Sequence, residues 1–281
     1  MALTSVAVDR HAWFTLGILS STLLVVFFSE TMLLPAIPEI MQDFSISYGT
    51  AAWIFSSYLI VAAVMTPIAG KMSDLYGKKK VLLVLLTLYA AGIAAGGFAD
   101  NISFLLATRI IQGVGLSAVP AAFSLLRDTF PPAKLALAVG VFGSAYSAGS
   151  GVGLLAGASI IQNFGWQATF LAIVPFSALV TLMIAKFVKD NSNLDQSITA
   201  KAPEITSNKN RLSFSIDIKG VLALSATITS FLFALTQIQI GLSSENLPQI
   251  VATFIASAIS LSVFVLLERR IVPPFLDLRL L

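Results

Sequence analysis

The stretch that decides the fold is GKMSDLYGKKK, residues 70–80, which lies between two apolar blocks, 50–69 and 81–99. Each block has about the 20 residues that an α-helix needs to cross a bilayer. Lysine and arginine accumulate in the cytoplasmic loops of membrane proteins, so a lysine-rich turn between two such helices indicates the cytoplasmic side. The stretch therefore predicts two transmembrane helices joined on that side.

Further apolar blocks of similar length occur along the whole chain. The eight predicted spans are 12–34, 50–69, 81–99, 103–125, 136–160, 169–188, 219–241 and 249–267. Of the 281 residues, 57% are hydrophobic and 11% are charged, and the mean hydropathy is +0.89. A soluble domain carries about 25% charged residues, so the alternative of eight buried helices in a soluble protein is disfavoured. The sequence predicts an all-α, polytopic membrane protein.

The distribution of charge predicts the topology. All but one of the 17 lysines and arginines lie on one side of the predicted spans. The loops on the other side hold acidic residues instead: Glu39, Asp43, Asp100 and Glu245. This alternation predicts that both termini lie in the cytoplasm and that the chain is a multi-pass protein of the cytoplasmic membrane.

A polar segment divides the chain. We expect a six-helix bundle over 1–188, a cytoplasmic linker over 189–218, two additional transmembrane helices over 219–267 and a cytoplasmic tail over 268–281.

Two charged residues fall inside predicted spans, Glu30 in the first and Arg109 in the fourth. Charges at such positions usually face a bundle interior and find a partner, although a long side chain can also reach the interface. Burial favours a protonated carboxyl, whereas a nearby guanidinium favours the carboxylate. Glu30 and Arg109 lie at comparable depth, so the sequence predicts a proton-coupling site, with an interfacial position for either as the alternative.

Glycines mark one helix face and one turn. Gly149, Gly153 and Gly157 recur every four residues in the fifth span, which predicts close helix packing and a hinge, and Gly151 is expected to add to that surface. In the turn, Gly70 and Gly77 predict a tight connection.

The turn also contains Asp74, for which Lys78, Arg127 or a helix N-terminus are the expected partners. Residues 158–165 repeat the spacing of 70–77 without its charges, as an inverted repeat of the spans 1–3 and 4–6 would produce.

Composition disfavours other classes of protein. There is no cysteine, and His11 is the only histidine, so a thiol nucleophile and a metal site made of Cys or several His residues are excluded. No catalytic set is visible, and we expect no enzyme activity, no metal and no cofactor. The lysines need no nucleic-acid partner, because topology and anionic lipid account for them.

Several motifs resemble those of one family. The stretch 70–80, with Gly70, Asp74, Gly77, Lys78 and Lys79, resembles the helix 2–3 signature of the major facilitator superfamily, and the stretch 109–115, with Arg109, Gln112 and Gly113, resembles its helix 4 motif. Ser29-Glu30-Thr31, followed by two prolines, is similar to helix 1 of its fourteen-helix drug:proton antiporters. The helix 5 antiporter motif differs, because Ser150 and Leu154 stand where the family has prolines.

The resemblance implies a six-helix N-terminal bundle followed by the two linker helices of fourteen-helix members, with the second six-helix half absent. It implies proton-coupled efflux of amphipathic or cationic drugs driven by the proton gradient, with Glu30 as proton site, Arg109 as its partner and Asp74 in a cytoplasmic latch. The expected partners are a small molecule, protons, the lipid bilayer and a second chain supplying the missing half. The alternatives are a half-transporter acting as a dimer, a nutrient importer and a non-transporting membrane scaffold.

Overall fold

The computed structural model describes residues 9–188, 218–241 and 246–268. The predicted linker and tail lie outside the described residues, apart from Ile218 and Glu268 at helix ends. The chain divides into two compact units, Met1–Asn191 and Ser192–Leu281. Every described element is helical, as predicted.

The first unit is a bundle of antiparallel helices. Its α-helices are α1 Arg10–Met32, α2 Ile37–Asp43, α3 Tyr48–Tyr76, α4 Lys78–Gly96, α5 Ile102–Leu116, α6 Ala118–Thr129, α7 Pro132–Phe164 and α8 Gln167–Phe187. The predicted spans 50–69 and 136–160 continue as the longer helices α3 and α7. α3 extends through residues expected in a turn, because the connection to α4 is Gly77 alone.

Prolines interrupt two of the predicted spans. Pro35 ends the first with a 3-10 turn, Leu34–Ala36, and α2 then occupies part of what the sequence indicated as loop. Pro120 lacks the N–H that a continuous helix would donate to the carbonyl of Leu116, so the fourth span is divided at Ser117 into α5 and α6. α7 has no proline after its first turn and runs unbroken.

The helix ends meet in two groups. At one end, Lys78 pairs with Asp128, and Phe14 of α1 packs edge-on against Phe187 of α8, with ring centroids 5.4 Å apart. At the other end, Phe170 of α8 lies over Gly96 of α4. The loops that the sequence assigned to one side by their lysines are therefore together in space.

The second unit is a helical hairpin of α9, Ile218–Ile240, and α10, Leu247–Glu268. Hydroxyls of α10 donate to carbonyls of α9, from Ser257 to Thr227 at 3.1 Å and from Ser260 to Ala223 at 2.9 Å.

Seven stretches of the described residues are long and apolar enough to cross a membrane, against eight predicted. The remaining predicted span corresponds to α9, a helix of 23 residues in which the searched residues form the shorter apolar stretch Leu222–Ile238.

Candidate functional site

Arg109 lies in the interior of the first unit. Asn101 caps α5 by accepting a hydrogen bond from the N–H of Phe104 at 2.8 Å, and this start places Arg109 two turns inside the helix. Its side chain is 1% exposed. Nε donates to the carbonyl of Ile54 on α3 at 3.0 Å, so the interfacial alternative does not hold for Arg109.

Gln112 fixes the guanidinium from the next turn of α5. Its Oε1 accepts from Arg109 Nη1 at 2.7 Å, and its Nε2 donates to the carbonyl of Gly92 on α4 at 3.0 Å. Gly113 is on the same face, where a Cβ atom would lie 2.6 Å from the carbonyl oxygen of Tyr58. The three helix 4 motif residues thus join α5 to α3 and α4.

An aromatic ring covers the guanidinium. Arg109 Cζ lies 4.3 Å from the ring centroid of Tyr58 and 5.6 Å from that of Phe55. Stacking of this kind stabilises a desolvated cation. Among the described residues, Arg109 Nη2 is buried without a hydrogen-bond partner, and the buried Tyr58 hydroxyl interacts with Tyr89.

Glu30 is on α1, two residues before that helix ends. It is partly buried and within electrostatic range of Arg109. No hydrogen bond or ion pair within 4.0 Å joins the two side chains among the described residues. The structure thus brings the two intramembrane charges into one cluster without direct contact.

Tyr89 on α4 links the cluster to α1. Its hydroxyl donates to the carbonyl of Val26 at 3.2 Å, one helical turn before Glu30. Sequence reasoning did not include Tyr58 or Tyr89 among the site residues. The available signal was a tyrosine inside an apolar span, since its hydroxyl needs a partner when it is buried.

The helix 2–3 motif spreads over the junction of α3 and α4. Gly77 adopts φ 95°, which favours glycine, whereas Gly70 is exposed within α3 with nothing within 4 Å of a Cβ built there. Of the two glycines expected to form the tight connection, Gly77 alone forms it, and Gly70 lies inside α3.

The charges of this motif have other partners than the sequence suggested. Lys78 pairs with Asp128 of α6, and Lys79 Nζ donates to the carbonyl of Ala185 at the end of α8 at 2.8 Å. Asp74 is exposed and makes no hydrogen bond or ion pair with any described residue.

The turn between α7 and α8 has the same form as the turn at Gly77. Gly165 ends the long helix α7 at φ 79°, as Gly77 ends α3. Here the neighbouring anchor is Trp166, which is fully buried and donates from Nε1 to Asp43 Oδ2 at 2.7 Å. The repeat of spacing seen in the sequence thus corresponds to two turns of similar backbone conformation.

The three glycines of the fifth span lie against α1. A Cβ atom at Gly149, Gly153 or Gly157 would come within 2.5 Å of a carbonyl oxygen of α1, that of Leu24, Phe28 or Met32 respectively. Thr31 reinforces this contact by donating from Oγ1 to the carbonyl of Ser150 at 2.9 Å. The packed face therefore abuts the part of α1 that contains Glu30.

Chemically, the cluster combines one carboxyl group with one immobilised cation. Three hydrogen bonds hold the Arg109–Gln112 pair between α3, α4 and α5. The charge of Arg109 acts on Glu30, and a carboxyl in that position changes its interaction with the cation when it gains or loses a proton. Within 9–188, 218–241 and 246–268, no group of three His, Asp or Glu side chains is placed to hold a metal ion.

Comparison with known proteins gives a consistent set of relatives. The profile of the Major Facilitator Superfamily matches residues 19–277. Multidrug resistance protein 3 of Bacillus subtilis is 31% identical over 265 residues, covering 93% of this chain and 47% of that protein. The tetracenomycin C resistance and export protein of Streptomyces glaucescens is 30% identical over 226 residues, covering 79% of this chain and 39% of that protein.

Solved structures support the same fold. The POT family transporter PepTSo superposes with a TM-score of 0.60 at 19% identity, covering 90% of this chain and 52% of that chain. This chain spans about half the length of the curated relatives it matches.

Proposed function

Because the chain belongs to the Major Facilitator Superfamily, as a multi-pass membrane protein, we propose that it is the first half of a proton-coupled exporter of amphipathic or cationic small molecules. The observation that carries this proposal is the buried Arg109, held in place by three helices with Glu30 in electrostatic range. An ionisable pair inside a membrane bundle is costly, and such groups usually mark a proton or substrate pathway.

Relatives support the choice of substrate class. Their printed names include multidrug resistance, tetracenomycin C resistance and export, and lincomycin resistance. By analogy, the small molecule of this chain is a drug or a similar amphipathic compound, and no cofactor other than the proton gradient takes part.

In the proposed mechanism, Glu30 takes up and releases the proton. The attraction between Glu30 and the cation of Arg109 then depends on whether that proton is bound. Release leaves a carboxylate that the cation attracts, whereas uptake removes the attraction and frees α1 from it. Since α1 also packs on the glycine face of α7, a movement of α1 that follows a change at Glu30 would alter that interface. Gly149, Gly153 and Gly157 then serve as the smooth surface on which the two helices shift.

The basic turn has a separate role. Asp74 is exposed and unpaired within the described residues, so it is available to a partner outside them. We infer that Gly70, Asp74, Gly77, Lys78 and Lys79 form a cytoplasmic latch completed by the second half. The domains would then be 1–188 as transporter bundle, 189–218 as linker, 219–267 as two additional spans and 268–281 as the tail towards that half, with both termini in the cytoplasm.

The test is export of a fluorescent lipophilic cation from efflux-deficient cells that express this chain, with and without a proton uncoupler. Once the chain exports, alone or together with a second half, we expect export that is uncoupler-sensitive, lost in Glu30→Gln and retained in Glu39→Gln, which changes an acidic residue of α2 outside the Arg109 cluster. Immunoblots of the membrane fraction control for expression.

Each contrary result has its own meaning. Equal export by the Glu30→Gln variant would contradict the role of Glu30, and proton-driven uptake would indicate an importer. No export by protein that is present in the membrane would contradict transport by the chain alone, and co-expression with the second half of a relative would then test the fragment. Crosslinking of active protein into pairs would identify a half-transporter that acts as a dimer.

A further inference from the structure

The connection between α1 and α3 contains a short helix between two interruptions. α2, Ile37–Asp43, comes directly after the 3-10 turn Leu34–Ala36. Beyond its end, Ser45 adopts φ 50°, which lies in the left-handed region that residues other than glycine seldom adopt. Neither α1 nor α3 continues through these breaks. α2 is therefore a separate segment, and contacts of its own must hold it in place.

A hydrogen bond ties α2 to the turn between α7 and α8. Asp43, the last residue of α2, accepts from Nε1 of Trp166 at 2.7 Å. The indole is fully buried, and Phe44 packs edge-on against it with ring centroids 5.6 Å apart. A Cβ atom built on Gly165 would lie 3.6 Å from Oε1 of Glu39, so α2 passes beside this turn. Because hydrogen bonds to a carboxylate are stronger than neutral ones, Asp43 is well suited to fasten α2 there.

The same arrangement occurs at the opposite end of α3. There Lys78 pairs with Asp128, close to the end of α6. Lys78 and Trp166 each directly follow a glycine of positive φ. Each aspartate, Asp128 or Asp43, stands at the end of the first span of the other three-span repeat. This correspondence favours a common role for the two contacts, which is to tie one repeat to the other at each end of the unit.

The position of α2 links this contact to the packing of α1 on α7. Of the three packed glycines, Gly157 lies nearest the end of α7, where a Cβ atom would clash with the carbonyl oxygen of Met32, the last residue of α1. α2 follows α1 after a single 3-10 turn, and Trp166 follows α7 after Gly165. A shift of α1 along α7 would therefore carry α2 past Trp166, and the hydrogen bond opposes that movement.

We propose that residues 37–44 form a strap, which Asp43 fastens to Trp166 and which locks α1 to α7 and α8 at this end of the unit. The fastened strap keeps the glycine-packed helices in register, and its release lets them separate at this end. Asp43 and Trp166 are thus positioning residues. The inference goes beyond the proposed function, because it concerns a conformational device that does not depend on Glu30 as proton site.

The experiment measures a distance between two spin labels on the full chain in lipid nanodiscs by double electron–electron resonance. The chain has no cysteine, so Gln42→Cys on α2 and Leu155→Cys on α7, both at exposed positions, give one labelled pair. Trp166→Phe removes the donor and keeps an aromatic ring, and Asp43→Leu removes the acceptor. Asp43→Asn keeps an acceptor oxygen and is the matched control.

We expect one narrow distance distribution in the labelled chain and in its Asp43→Asn variant. Trp166→Phe and Asp43→Leu should each add a population at longer distance. The variant with both changes should match the single ones, because all three lack the same bond. Unchanged distances in both single variants would overturn the strap. Effects that add up in the double variant would also overturn it, since they would indicate two independent contributions to packing.

The two Asp43 variants keep the proposal testable even where Trp166→Phe fails to fold, as circular dichroism and gel filtration would reveal. Asp43 is exposed, so its substitution leaves the apolar core intact. An equal longer-distance population in Asp43→Leu and Asp43→Asn would overturn the strap, because an acceptor oxygen would then make no difference. Export is a separate measurement, and each of these results leaves the proposed function as it stands.

Discussion

Two faces of α7 contain the same residue type in different surroundings. Gly149, Gly153 and Gly157 lie against the backbone of α1, whereas at Gly140, Gly143 and Gly151 no atom of the described residues is within 4 Å of a Cβ built there. The difference shows that the partner backbone, and not the glycine itself, decides whether a side chain is tolerated.

Gly151 illustrates why sequence spacing alone was insufficient. The expectation that it would add to the packed surface is wrong, because residues two apart on an α-helix are about 200° apart around its axis. Ala145, four residues before Gly149, is on the packed face and is buried. A four-residue step thus predicted the face correctly, and a two-residue step did not.

The largest effect is expected at Gly157, where a Cβ atom would lie 2.3 Å from the carbonyl oxygen of Met32. A backbone atom cannot rotate away, so Gly157→Ala must push α1 from α7. We expect the free energy of unfolding to fall by about 3 kcal/mol, the upper end for overpacking. The measurement is unfolding in mixed micelles by added SDS, followed by circular dichroism.

Gly143→Ala on the open face is the control for Gly157→Ala. Equal effects of the two substitutions would contradict the assignment of a packed and an open face.

A second kind of glycine depends on its own backbone conformation. Gly77→Ala places a Cβ at φ 95°, and we expect a loss of about 1–2 kcal/mol in the free energy of unfolding. Gly70→Ala in the same motif is the matched control, because Gly70 lies inside α3 with open space around it. If both substitutions lower the free energy of unfolding by the same amount, backbone strain at φ 95° does not explain the effect of Gly77→Ala.

The hydrogen bond across the packed face contributes less. Thr31→Val removes a hydroxyl that lies 2.9 Å from the carbonyl of Ser150 across the interface and 2.9 Å from that of Phe27 in its own helix, while preserving the shape of the side chain. We expect a loss of about 1 kcal/mol, within the range for hydrogen bonds between membrane helices. Thr87→Val is the control, since Thr87 donates only to Leu83 in its own helix, and a similar loss there would indicate that the contact between helices contributes nothing.

Much of the helical fold was predictable, because a bilayer requires about 20 apolar residues per span. The interruptions were not. Pro35 and Pro120 break helices, yet Pro67 and Pro175 lie within unbroken ones. Whether a proline divides a helix depends on how neighbouring groups satisfy the freed carbonyl, which is tertiary information.

The cluster was predictable in its charges but not in its neighbours. Glu30 and Arg109 are conspicuous in apolar spans, and the motif pointed to Gln112. That Gln112 would donate to Gly92, or that Tyr58 would stack on the guanidinium, depends on how α3 and α4 approach α5. The pairing of Lys78 with Asp128 instead of Asp74 has the same origin, because these residues meet only when α4 and α6 pack.

The smallest effect is expected at Gly151, and it has the opposite sign. Alanine favours a helix over glycine and meets no atom within 4 Å here, so Gly151→Ala should raise the free energy of unfolding by about 0.5 kcal/mol or leave it unchanged. This holds for the first unit, in which no described atom lies within 4 Å of a Cβ built at Gly151. The same substitution, measured after co-expression with a second six-helix half, tests whether that face is an interface. A loss of stability seen only in the assembled protein would mean that the open face has a partner there, and the two faces of α7 would then differ only in which chain segment each one packs against.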